Sequence, residues 1–240
     1  MVMKRFAIVT ALSLLSSTAI AANHGFYIGA DAGYIMPQYR SGNQTVTQFN
    51  GKPLNATVDD KNQDIAYGVN FGYLWANGPE PEGDDLSYGV EAGYTYYGQL
   101  HDQHYTSNGT SGDLDQSASM TDLMAVLDVN LTNPTYQPAV DVFLKGGVAL
   151  FFLNQTGNGT VTDSSNNSVN FATEANGSKQ QFAPIIQVGV GVDVLKNVNV
   201  NIFYQRTFAR DYKHPVAGQV SSLVATIDEF GGGVTYYFGN

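Results

Sequence analysis

The chain of 240 residues contains no cysteine, which excludes disulfides and thiol chemistry and leaves the fold to noncovalent forces. It also lacks a stretch approaching the ~18 consecutive apolar residues that a membrane-crossing helix requires. Basic residues are scarce, with 11 Lys and Arg against 21 Asp and Glu. So acidic a chain offers no positive surface for nucleic acid, and none is expected as a partner. Four histidines leave few candidates for a general base or an imidazole metal site.

What is present begins with an export signal. Lys4 and Arg5 precede an apolar run from Phe6 to Leu15, and Ala19-Ile20-Ala21 supplies small residues in A-x-A order. Residues 1–22 are therefore predicted to be a cleaved signal peptide, which leaves 23–240 as a single all-β domain. Its loss removes two bases, so nine bases face 21 acids and the net charge becomes −12.

Alternation is the strongest signal in that domain. Ile65, Tyr67, Val69, Phe71, Tyr73 and Trp75 share one parity, while Ala66, Gly68, Asn70, Gly72 and Leu74 share the other. Successive side chains of a strand point to opposite faces. One face is thus bulky and apolar, and the other is small, glycine-rich and partly polar. A soluble sheet would bury the bulky face and wet the other. Lipid on the bulky face and a narrow closed interior behind the small one fit the pattern.

Eight segments carry this alternation, near 25–36, 64–75, 86–97, 119–131, 139–152, 182–195, 198–208 and 223–238. The odd connections (37–63, 98–118, 153–181 and 209–222) are long and rich in Asn, Ser, Thr, Gly and Asp. The even ones (76–85, 132–138 and 196–197) are shorter, with Pro- or Asn-type turns such as Asn77-Gly78-Pro79 and Asn133-Pro134. Outer-membrane barrels show this contrast between external loops and periplasmic turns. The sequence thus predicts an eight-stranded antiparallel up-and-down transmembrane β-barrel in a Gram-negative outer membrane, loops outside and both ends periplasmic. Weak alternation in Gln44–Val58 and Gly159–Phe171 leaves ten strands as the alternative, although both stretches are read as hairpins above the membrane. Aromatics near strand ends (Phe26, Trp75, Tyr236 and Phe238 below; Tyr34, Tyr96, Phe152 and Tyr204 above) mark two interfacial girdles. In the seventh strand the outward parity includes Arg206, placed at headgroup level unless a bulge resets the phase.

Two terminal motifs carry a family likeness. Gly25 to Tyr34 (GFYIGADAGY) and Gly233 to Phe238 (GVTYYF) resemble the ends of small bacterial outer-membrane barrels. The family includes the transmembrane domain of outer membrane protein A and the opacity-type surface proteins. The resemblance implies that Gly233, Tyr236 and Phe238 belong to an assembly signal read by the barrel-insertion machinery. Gly239-Asn240 after the phenylalanine depart from the pattern. No peptidoglycan-binding domain follows, so no cell-wall tether is expected.

The inward parity includes Asp31, Glu91, Asp128, Asp141, Lys145, Asp193 and Glu229. Asp31, Glu91 and Lys145 each lie five residues above a strand start, which predicts a shared height and an ion-pair cluster across the lumen. The family resemblance implies the same, an internal charge cluster that blocks the bore. One lysine cannot neutralise six acids, and unpaired carboxylates in a dry interior are costly. A small cation-selective porin is therefore the alternative to a surface protein acting through its loops in adhesion, host contact or envelope integrity.

No catalytic, cofactor or metal residues are assigned. His101-Asp-Gln-His104 lacks the helix that aims an H-x-x-H pair, and Asp113-Leu-Asp115 lacks a calcium loop. Glu80, Glu82, Asp84 and Asp85 read as a solvated turn. His214 beside Asp211 is the one base-like pairing, with no serine evident near it, and no enzyme is expected. The expected partners are outer-membrane lipid, the insertion machinery, and a host or envelope protein met by the loops.

Overall fold

The computed structural model describes residues 25–37, 47–49, 52–54, 57–61, 65–76, 86–131, 140–166, 168–170, 177–209, 212–216, 219–223 and 226–238. The expected signal peptide at 1–22 and the acidic turn at 80–85 lie outside them.

Eight strands close one antiparallel sheet: β1 (Gly25–Pro37), β2 (Ile65–Ala76), β3 (Leu86–Ser107), β4 (Thr110–Asn130), β5 (Val140–Thr162), β6 (Gly177–Leu195), β7 (Val198–Phe208) and β8 (Thr226–Tyr237). Each pairs with its neighbour in sequence, and β8 returns to pair with β1 from Tyr27↔Tyr237 to Pro37↔Ile227. The protein is an all-β, closed eight-stranded antiparallel barrel. Ten strands would need two more in the wall. Instead Thr47–Phe49 pairs with Lys52–Leu54, and Ser168–Asn170 pairs with residues 160–162 of β5. "Lower" below denotes the barrel end where Gly25 and Phe238 lie side by side, with the Phe238 amide donating to the Phe26 carbonyl at 2.8 Å.

Closure follows from the sequence parity. Val69, Phe71, Leu123, Val148, Ile186, Ile202 and Phe230 are exposed on the outside, whereas Tyr27, Leu74, Met124, Phe143, Ile185 and Phe203 are buried within. Inward glycines make room for these interior side chains. A Cβ on Gly189 would strike the Phe143 ring, and one on Gly231 would strike that of Phe203.

The third and fifth connections, read from sequence as polar loops at 98–118 and 153–181, are largely strand. β3 and β4 stay paired to a turn at Asn108-Gly109, where both residues have positive φ (47° and 77°). Asn-Gly suits such a two-residue hairpin turn. β4 and β5 pair up to Gly112↔Gly159, and Thr57–Lys61 adds to the outer edge of β3. A bilayer needs roughly 9–11 tilted residues, but β5 has 23. The surplus forms a β-wall rising above one side of the barrel. Its departure from the barrel is marked by register shifts at Tyr96/Gly98 and Gln99/His101, with Gly98 at φ 66°. Such bulges bend and twist a strand.

β7 keeps regular register with β8 from Val198↔Tyr236 to Phe208↔Thr226, so no bulge resets the phase at Arg206. Arg206 pairs across the strands with Asp228, one row above the aromatic row Tyr204↔Phe230↔Tyr34. Its Nε lies 3.5 Å from Asp228 Oδ1, its guanidinium 5.4 Å from the Phe208 ring, and the Tyr204 hydroxyl donates to Asp228 at 2.6 Å.

The adjacent glycines of β5 test the parity. A Cβ on Gly147 would collide with the Leu123 carbonyl and come 2.7 Å from Met124 Cα, whereas one on Gly146 has nothing nearer than 3.9 Å. Gly147→Val should cost about 1–3 kcal/mol or more through overpacking and lose the heat-modifiable folded band in gels. Gly146→Val should keep that band; equal behaviour of the two would contradict the assigned faces.

Candidate functional site in the barrel lumen

The interior is layered. At the upper end Tyr97, Met120, Phe151, Ile35 and Ile227 form an apolar roof, with the Tyr97 and Phe151 rings stacked at 5.6 Å and 10°. At the lower end Tyr27, Leu74, Val126 and Tyr237 form a floor. Every charged residue that the sequence placed inside lies between or beside these layers.

Lys145 projects inward from β5 and reaches across to β3, where its Nζ donates to Glu91 Oε1 at 2.9 Å and Oε2 at 2.7 Å. The Tyr27 hydroxyl donates to the same carboxylate at 2.8 Å. Glu91 is nearly inaccessible at 2% exposure, so two donors replace its lost hydration. Lys145 also lies 5.1 Å from the Phe143 ring centroid. Asp31 occupies the same region but takes a different donor, the Asn70 amide, at 3.1 Å. Lys145 thus pairs with Glu91 and does not also bridge to Asp31.

Below this bridge, one Asn199 amide serves two acids, donating to Asp141 at 2.6 Å and to Asp193 at 2.9 Å. Above it, the Gln205 amide donates to Glu229 Oε2 at 3.3 Å. Asp122 also faces inward and is buried, although the sequence reading omitted it. Its signal was available, because it shares the parity of Asp128 on β4. The tyrosine, asparagine and glutamine partners were missed for another reason: their roles depend on which strands stand opposite across the bore.

Two small cavities, each about 20 Å³, remain on either side of the Lys145–Glu91 bridge. Each is about the room one water needs. The bore is thus obstructed by a roof, a bridge and a floor.

The terminal motif residues lie at the β8–β1 seam. Gly233 faces Ala30, Asn201 and Asp31, and the rings of Tyr236 and Phe238 meet at 5.2 Å and 79° on the outside. On the β-wall His104 Nδ1 meets Asp113 Oδ1 at 2.5 Å, with both side chains nearly half exposed. No group of three acidic, histidine or cysteine residues among the described ones is arranged to hold a metal. The side chains of His101, Asp211 and His214 lie outside the described set.

A family model described as outer membrane protein beta-barrel domain matches residues 7–238. No curated protein matches the chain. Among solved structures, the chain is similar to Neisserial surface protein A, with 15% identity and TM-score 0.40 over 89% of this chain and 97% of that one. The N-terminal barrel of OprF from Pseudomonas aeruginosa shares 13% identity at TM-score 0.40, over 89% and 97%. The outer membrane enzyme PagL shares 11% at TM-score 0.37, over 88% and 99%. A fold by itself does not assign chemistry.

The bridge makes a measurable prediction. Glu91→Ala strands the Lys145 ammonium in a closed interior and should cost about 3–5 kcal/mol. Adding Lys145→Met should restore most of that loss. Urea unfolding from vesicles, followed by the fluorescence of the single tryptophan, Trp75, reads both values. A double variant as unstable as the sum of the single ones would refute the coupling.

Proposed function

The chain belongs to the outer membrane protein β-barrel domain family, and from that premise we propose that it is a surface protein working through its β-wall. The observation that carries this reading is the contrast between the two parts. The bore is obstructed at three levels, while β3, β4 and β5 continue well past the length a bilayer needs. Rigid scaffolds commonly place binding residues on their projecting segments.

In this reading the wall and the long connections face the exterior, and Gly25 and Phe238 lie at the periplasmic end. Supporting this orientation, the connection between β6 and β7 at the lower end is a two-residue turn at Lys196-Asn197. Gly233, Tyr236 and Phe238 act as the signal for the insertion machinery, supported by their place at the closing seam. Outer-membrane lipid covers the apolar girdle. The role is adhesion, host contact or envelope integrity. The partner's chemistry follows from charge: Asp59, Asp60, Asp102, Asp113 and Asp115 fall on paired segments of the wall with Lys61. A basic or neutral protein surface suits it better than a polyanion.

Replacing residues 99–117 by a short Asn-Gly turn tests this reading. The barrel should keep its folded gel band, while cells displaying it should lose attachment to cationic protein-coated surfaces. Undiminished attachment would overturn the loop role. Planar-bilayer recording tests the porin alternative, with no discrete conductance steps expected from the intact protein. Regular cation-selective steps would favour a channel instead.

A further inference from the structure

Charge is almost absent from the outside of the barrel. On the lipid-facing parity of the eight strands, below the wall, the charged side chains among the described residues are Arg206 on β7 and Asp228 on β8. The two are partners in register, with Ile186 beside Arg206 and Met36 beside Asp228. Directly beneath them run Val188, Tyr204, Phe230 and Tyr34. A pair so placed needs a reason of its own.

Stability supplies little of that reason. An exposed ion pair contributes little, and the lipid face of a barrel tolerates a base near the headgroups and not at mid-membrane. Nor does Asp228 use up Arg206. That carboxylate already accepts the Tyr204 hydroxyl at 2.6 Å. Arg206 Nε stands 3.5 Å from it and makes no hydrogen bond. A guanidinium presents a planar fork of N–H donors. Here Asp228 and the Phe208 ring flank that fork, and 35% of the side chain stays open to the surroundings.

The neighbouring surface narrows what the fork meets. Phe208 lies above Arg206 and Phe230 below it, each about half exposed, so aromatic faces stand beside the guanidinium on the outside. The next row down is Ile202, Gly232, Ala32 and Tyr67. A Cβ on Gly232 would meet the Ile202 side chain only at 4.0 Å, so Gly232 and Ala32 leave a shallow depression between the larger Ile202 and Tyr67. From top to bottom the surface offers a cationic fork, aromatic faces and an apolar trough. An amphiphile with a phosphate, a sugar ring and acyl chains has a group for each.

We propose that the outward row at Arg206 binds the phosphorylated sugar headgroup of an acylated glycolipid, the lipid class of the outer leaflet of an outer membrane. The guanidinium pairs with phosphate oxygens, for which its fork geometry is suited. Phe208 and Phe230 cover the apolar face of the sugar, and an acyl chain lies over Gly232 and Ala32. The choice of leaflet rests on the orientation proposed above, in which the upper end faces outside.

The test is native mass spectrometry of the mature chain refolded into detergent. It is offered diphosphorylated lipid A, the same lipid without phosphates, phosphatidylglycerol, or lipid A with excess inorganic phosphate. Lipid A should be retained. Retention should weaken roughly tenfold on removing its phosphates or on Arg206→Gln, the size expected for a charged hydrogen bond. Lys196→Gln in the lower turn should leave it unchanged. Equal retention by Arg206→Gln would overturn the site, and an equal loss in Lys196→Gln would reduce it to general charge and overturn it too. Phosphatidylglycerol held as tightly, or displacement by inorganic phosphate, would overturn the glycolipid assignment. Phe208→Leu changes no charge and should weaken lipid A retention, which keeps the test decisive if Arg206→Gln fails to fold. Detergent has no inside or outside, so orientation is read separately. The chain has no cysteine, and Asn158→Cys on the exposed wall should react with an impermeant maleimide on intact cells. An unlabelled Asn158→Cys would overturn the outer-leaflet assignment while leaving the detergent result to judge the site.

Discussion

Hydrocarbon cannot hydrogen-bond a peptide group, and this constraint shapes the whole molecule. Each backbone N–H and C=O within the membrane must find a partner inside the protein. A sheet satisfies that demand only when its last strand meets its first, as β8 does with β1 along eleven register pairs. Closure with eight strands then fixes a bore hardly wider than the side chains that enter it. Inward positions consequently alternate between glycine and one large or charged neighbour. On β8, for instance, Gly231 yields to Phe203 and Gly233 faces Asp31 and Asn201. The apolar outer face follows from the medium, and the crowded inner face follows from the geometry of closing.

Crowding also determines how charge is accommodated. A carboxylate excluded from bulk water needs donors at hydrogen-bond distance, and the narrow bore supplies them from opposite walls. Glu91 takes both a lysine and a tyrosine, Asp31 takes an amide, and Asp141 and Asp193 share another. These contacts tie β1 to β2 and to β3, β3 to β5, and β5 and β6 to β7. They therefore brace the barrel across its diameter as well as filling it. Acids lie on both sides of the bridge, Asp31, Asp122 and Glu229 above it and Asp128, Asp141 and Asp193 below it, while the one internal lysine is committed to Glu91.

The parity of the sequence was enough to locate the eight strands and to separate lipid-facing from inward residues, since a period of two leaves little freedom once one face is apolar. Asp31, Glu91 and Lys145 could be placed in one zone from their offsets along upward strands. Their partners could not. Which acid receives Lys145 depends on strand tilt and on which side chains stand opposite across the bore, and neither is encoded in the spacing within one strand. Tyr27, equally inward, reads as an ordinary aromatic until its hydroxyl is seen on Glu91. The connection at 98–118 was misread for a different reason. Residues 98–118 are polar on both faces, so lipid imposes no apolar alternation on them, and they read as loop. Asn108-Gly109 was the overlooked sign of a hairpin, because those two residues accept the positive φ of its turn.

The same loss of alternation explains why the wall and the barrel have different mechanical roles. Within the membrane each strand is clamped by two neighbours, lipid outside and packed side chains inside. Beyond it, β3 to β5 keep their ladder hydrogen bonds but have water in place of the lipid on one side. The bulges at Tyr96/Gly98 and Gln99/His101 sit where β3 passes from pairing with β2 to pairing with Thr57–Lys61. Thr57–Lys61 covers the edge of β3 that would otherwise present open ladder groups to solvent. The wall thus extends the rigidity of the barrel outward while its faces are free to take polar sequence. Residues 99–117 pair only with each other, with β5 and with Thr57–Lys61 among the described residues, so their sequence can change without touching the β8–β1 seam.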